Sequence, residues 1–136
     1  MTERAALVVD PRRFGSLSLE EVYRAVPVQN ESADKRPVKN GLVLEIPLKR
    51  PEGKWSVLSW LVPLRSHRRI YLDEIGAEVF FQCNGRHTVM DVITLFAEQY
   101  RLSFLESRSS IMTYLKSLIR RGVIAVTLPE RAHRTP

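Results

Sequence analysis

The chain has 136 residues, 44% hydrophobic and 26% charged, the size and balance of one soluble domain with a core of its own. Its single cysteine, Cys83, excludes an intrachain disulfide and a thiolate metal cluster, and His67, His87 and His133 lack the H-x-x-x-H spacing of metal ligands. The net charge of +6 is concentrated: from Lys49 to Leu72 six basic residues (Lys49, Arg50, Lys54, Arg65, Arg68, Arg69) face one acid, Glu52, a local +5.

Such a basic strip attracts an acidic partner, although any one of these residues reads equally as part of a solvated face. No apolar run reaches the ~20 residues of a membrane span. The apolar stretch Ala5 to Val9 is too short for a secretory signal, so a cytoplasmic protein without a membrane partner is expected.

The first forty residues read as an N-terminal extension. Within it Ser18 and Glu21 form an S-x-x-E capping box for one short helix, with Val22 and Ala25 on its apolar side and Pro27 ending it. The stretch VQNESADKRPVKNG, from Val28 to Gly41, then reads as a polar linker. From Gly41 the pattern alternates: Leu42, Leu44, Ile46 and Leu48 share one face, which predicts a half-buried strand. RPEGK (Arg50 to Lys54) predicts a turn, WSVLSWLVP a returning strand, and Arg69 to Leu72 a third strand, together an antiparallel meander.

After Leu72 the period changes to about 3.6 residues, as in a helix. Asp73 is placed to cap a helix reaching Cys83, and Asn84-Gly85 to end it. Thr88 and Asp91 cap a second helix with Val89, Val92, Ile93 and Phe96 inside, closed at Tyr100 to Leu102. A third helix is expected from about Glu106 to Arg121, its apolar stripe formed by Ile111, Tyr114, Leu115, Leu118 and Ile119. Gly122 ends it, Val123 to Val126 suggest a last short strand, and residues 128–136 a basic tail. The fold class expected is therefore α+β and winged-helix-like: a three-stranded antiparallel sheet, then a three-helix bundle, over residues 41–127.

Nothing assembles a catalytic constellation. The chain contains no G-x-S-x-G, Walker-type or G-x-G-x-x-G motif. Glu20-Glu21 and Asp73-Glu74 are adjacent pairs better explained as helix-start charge. Cys83, four residues before His87, is expected to be buried packing rather than a nucleophile. Trp55 and Trp60 read as core or subunit-contact residues. No enzyme activity, cofactor or metal is expected.

The stretch LDEIGAEVFFQCNGRHTVMDVITLFAEQY, Leu72 to Tyr100, resembles the PqqD family. The resemblance rests on Leu72, Asp73, Glu74, Gly76, Ala77, Glu78, Val79 and Phe80, then Cys83, Asn84 and Gly85, then Thr88 and Val89. The upstream KWSVLSWLVP and the third helix with RRGVI are similar to the family's second strand and ending, so the likeness spans roughly Gly41 to Val126. Most of these positions are caps, turns and core, which argue for fold more than for function.

The resemblance implies a non-catalytic, chaperone-like peptide-recognition element. It would capture the acidic leader of a ribosomally made precursor peptide and present it to a modifying enzyme of the radical SAM type. In such modules the leader adds as a strand to the third strand, where unpaired backbone gives affinity and flanking pockets give specificity. Here that edge is Arg68, Arg69, Ile70 and Tyr71, and the third helix contributes Arg108, Met112 and Lys116, one turn apart. Ile70 and Met112 read equally as core, and Arg108 and Lys116 as a solvated face. An exposed edge also allows a homodimer.

The rival reading is a winged-helix DNA-binding protein whose third helix, with Arg108, Lys116, Arg120 and Arg121, enters a major groove. Against it, the charge is concentrated on the strands rather than on that helix, so nucleic acid is the less favoured partner.

Overall fold

The computed structural model of the protein describes residues 7–47 and 67–129. In chain order it contains β1 (Leu7–Val8), a 3₁₀ turn (Pro11–Ser16), α1 (Leu19–Arg24), β2 (Val26–Gln29), β3 (Asp34–Val38), β4 (Gly41–Pro47), β5 (His67–Asp73), α2 (Glu74–Gln82), α3 (Val89–Tyr100), α4 (Phe104–Arg120) and β6 (Ile124–Leu128). The architecture is mixed α+β. Two three-stranded antiparallel sheets are present, ordered β1-β6-β2 and β3-β4-β5. The chain divides into two compact units, Met1–Asn30 with Glu78–Pro136, and Glu31–Ala77.

Capping boxes set the helix starts of the first unit. The Ser18 hydroxyl accepts the Glu21 N–H at 3.1 Å while the Glu21 carboxylate accepts the Ser18 N–H at 3.0 Å, and Thr88 with Asp91 repeats the arrangement. A third box, Ser103 with Glu106, starts α4 two residues before the start expected from the apolar stripe. Replacing Thr88 or Ser103 with alanine is expected to lower stability by about 1 kcal/mol each, since one first-turn N–H group, of Asp91 or of Glu106, loses its acceptor. Urea midpoints measure this, and an unchanged midpoint would show the caps to be dispensable.

The stripe of α4 is buried at Ile111, Leu115, Leu118 and Ile119, and α3 buries Val89, Val92, Ile93 and Phe96. A buried hydroxyl joins the two helices: Ser107, fully enclosed, donates to the Ile93 carbonyl at 2.6 Å. In the sheet of this unit β6 is central, with β2 paired along one side and β1 on the other. Side chains at the end of β2 satisfy carbonyls near the ends of two helices: Gln29 donates to Phe80 O at 3.1 Å and Asn30 to Gly122 O at 2.9 Å.

The first forty residues thus do more than extend the domain. Phe14, Val22 and Ala25 are buried, and β1 and β2 flank β6. The sequence shows little of this because single apolar residues in short elements produce no periodic stripe.

In the second unit β4 is the middle strand. Its Leu42, Leu44 and Ile46 are buried, and Leu42 and Leu44 stand opposite Leu72 and Ile70 of β5. The expected meander needs correcting here. β4 pairs directly with β5, and with β3 on its other side, so no strand stands between β4 and β5; WSVLSWLVP, with the RPEGK turn, Trp55 and Trp60, lies outside the described residues. On the other side of β4 lies β3, within the stretch read as a linker. All five of its residues are exposed, so it has no apolar alternation to betray it.

Helix α2 begins where β5 ends. Asp73 Oδ1 accepts the Gly76 N–H at 2.7 Å, the cap expected from sequence. The helix ends at the expected turn, with Gly85 at φ 82°, a left-handed value that glycine adopts without steric cost.

Candidate functional site

Alternation along β5 sorts its side chains by face. Ile70 and Leu72 are each 5% exposed, while Tyr71 is 55% exposed. Arg68 shares the face of Ile70 but stays exposed near the strand's start, and Arg69 is exposed on the opposite face with Tyr71. Of the four candidate residues here, Ile70 is therefore core, and the side chains open to a partner are Arg68, Arg69 and Tyr71.

Two of these are anchored. Arg69 stands opposite Glu45 on β4 and pairs with its carboxylate at 3.2 Å; Tyr71 donates its hydroxyl to Asn40 O at 2.9 Å. The Arg69 pair is well exposed on the arginine side and contributes little to stability, but it holds the guanidinium in place and offsets its charge. Of the two arginines on β5, Arg69 thus has part of its charge offset by Glu45, and Lys49, Arg50, Lys54 and Arg65 of the basic strip lie outside the described residues.

Among the described residues the backbone of β5 is paired on one side. Its register with β4 runs from Gly41↔Asp73 to Pro47↔His67, and among the described residues no strand pairs with it on the other side. The sheet's opposite edge, β3, reads Asp-Lys-Arg-Pro-Val, and charge with proline is what discourages further pairing. Of the two edges, β5 is the better template for an added strand.

The helix residues expected at the site lie in the other compact unit, on α4. Arg108 donates to the Tyr23 hydroxyl at 3.0 Å, and the Tyr23 ring meets Phe104 edge-on at 6.1 Å. Met112 is half-buried and Lys116 exposed. Lys116 lines a cavity with residues of the 3₁₀ turn. Both ends of this stripe thus meet the N-terminal segment, a pairing that sequence reasoning missed. Tyr23 carries no signal beyond its place in a short helix.

Cys83 is fully enclosed, its thiol donating to Val79 O at 3.2 Å, and burial pushes its pKa up to about 12. A thiol so protonated is no nucleophile at neutral pH. Among the described residues no three His, Cys, Asp or Glu side chains are grouped to hold a metal ion, and no helix is long and apolar enough to cross a membrane.

The family model described as coenzyme PQQ synthesis protein D (PqqD) matches residues 60–124, a span that takes in β5, α2, α3 and α4. No curated protein and no solved structure matches the chain.

Proposed function

We propose, from the match of residues 60–124 to the PqqD family model, that the chain is a non-catalytic partner that captures the leader of a precursor peptide by strand addition at β5 and presents it to a modifying enzyme. The match links it to the synthesis of PQQ or of another product made from a ribosomal peptide. The observation that carries the finer reading is the edge of β5, with its backbone unpaired on one side among the described residues and Tyr71 exposed beside it.

On this reading the leader's backbone pairs with Arg68 to Tyr71. The Tyr71 ring offers apolar contact, and Arg68 draws in acidic side chains beside Arg69, which Glu45 holds in place. The β3-β4-β5 sheet followed by three helices is then a winged-helix-like recognition element, and the modifying enzyme supplies the chemistry.

The test is calorimetric titration with acidic leader peptides encoded near this gene, with duplex DNA as control. Peptides N-methylated at successive positions should lose and keep affinity in alternation, because every second amide of an added strand donates to its neighbour. Tyr71→Ala should weaken binding about tenfold, as loss of an aromatic anchor does. Equal tolerance of N-methylation at every position would sink strand addition. Binding of DNA alone, falling steeply with salt, would sink the peptide reading altogether.

A further inference from the structure

A cavity of about 460 Å³ opens between the 3₁₀ turn Pro11–Ser16 and the C-terminal half of α4, wholly within the first unit. Its apolar lining comes from Pro11, Phe14 and Ile119. Its polar lining is cationic throughout: Arg12, Lys116 and Arg120, with no acid among them. The volume falls in the usual range for small-ligand pockets, roughly 300–1,000 Å³.

The three cations are not equivalent. Arg12 is committed to Asp10, whose carboxylate it meets at 3.2 Å, and this contact fixes the start of the turn. Lys116 and Arg120 have no hydrogen-bond or ion-pair partner among the described residues. They are four residues apart on one helix face, where like charges repel. A basic residue in the last helical turn is favoured by the helix dipole, which accounts for Arg120 but not for Lys116 a full turn earlier.

We propose that this cavity binds a carboxylate carried on an apolar body, with Lys116 and Arg120 taking the carboxylate and Phe14, Pro11 and Ile119 supporting the apolar part. An anion here relieves the repulsion between the two cations, and a guanidinium fork matches a carboxylate's geometry. A phosphate fits less well. Phosphates are cradled by converging backbone N–H groups at helix N-termini, whereas the helix end here is a C-terminus whose carbonyls oppose high negative charge. The carboxylate can belong to a free small molecule or to an acidic residue of a peptide with an apolar neighbour. The site shares no residue with β5.

The experiment is titration of the isotope-labelled full chain, followed by amide chemical shifts, with N-acetylphenylalaninate as probe. Shifts are expected at residues 11–15 and 116–120. Affinity should fall at least tenfold for N-acetylphenylalaninamide, which lacks the charge, and for acetate, which lacks the apolar body. Arg120→Gln, and more so the Lys116→Gln/Arg120→Gln pair, should weaken the probe by a similar factor. The proposal is overturned if the shifts map elsewhere, if the neutral amide or inorganic phosphate binds as well, or if the double substitution has no effect.

A capped Glu-Leu dipeptide distinguishes the two sources. The same shifts assign the site to peptide side chains, and their absence, with the probe bound, assigns it to free carboxylates. Arg120 lies outside the residues proposed for the leader, so the two readings fail separately: N-methyl alternation reports on β5, and Arg120→Gln reports on the cavity.

Discussion

Gly41→Ala is expected to lower stability by about 3 kcal/mol or more and to abolish the peptide binding proposed at β5. A Cβ at position 41 would stand 1.9 Å from the Leu72 carbonyl oxygen, 3.0 Å from its carbon and 3.2 Å from Asp73 Cα. All three are backbone atoms of the strand paired with β4, so no side chain can swing aside to make room. Gly41 stands opposite Asp73 in the register, and Asp73 in turn caps α2. Relief therefore requires the strands to part at the point where the edge strand hands over to the helix. Differential scanning calorimetry should show the melting temperature falling by roughly 10 °C. Gly15→Ala is the control: an added Cβ there meets nothing within 4 Å, and a change within about 0.5 kcal/mol is expected. Wild-type melting of Gly41→Ala would mean that β4 and β5 do not pair in this register.

The second large effect concerns Cys83. With its pKa raised by burial from 9.0 to about 12, the thiolate fraction at pH 8 falls about a thousandfold. Alkylation by iodoacetamide in the native state should be slower than in urea by at least that factor. The same shift predicts how stability depends on pH. The unfolded thiol ionises first, so the folded state holds the proton more tightly, and a contribution fully present below pH 9 is lost as pH rises from 9 towards 12. Three pKa units correspond to about 4 kcal/mol as the upper bound of that loss. A native chain labelled as fast as the denatured one would put Cys83 at the surface and reopen a nucleophilic role beside His87.

Much of the helical half was legible residue by residue. Asp73, Thr88 and Asp91 act as caps because their side-chain oxygens meet N–H groups a fixed number of residues away, a rule local enough to read from spacing. The stripe of Ile111, Leu115, Leu118 and Ile119 is buried because residues three and four apart share a helix face. The same spacing marks Ser103 and Glu106 as a capping box, a signal present in the sequence but not used in placing the helix start.

The candidate site was legible only in part. Alternation put Ile70 and Tyr71 on opposite faces, but which of the two was buried depended on the partners of β4 and β5. The cationic cavity could not have been read at all. It brings Arg12 and Phe14 to Lys116 and Arg120 across some hundred residues of chain, and no local pattern links them.

The sequence by itself determined where helices start and stop, which faces of α3 and α4 are apolar, and, through the stretch from Leu72 to Tyr100, the likeness to the PqqD family. These are properties of short spans, set by hydrogen bonds and periodicities within a few residues. Only the tertiary structure decided that β3 and β5 both pair with β4, that β1 and β2 flank β6, and that Glu45 pairs with Arg69. Strand partners are chosen by hydrogen bonding between segments distant in sequence. An exposed strand such as Asp34–Val38 forms because its neighbour β4 offers an unpaired edge, not because its own residues ask for one.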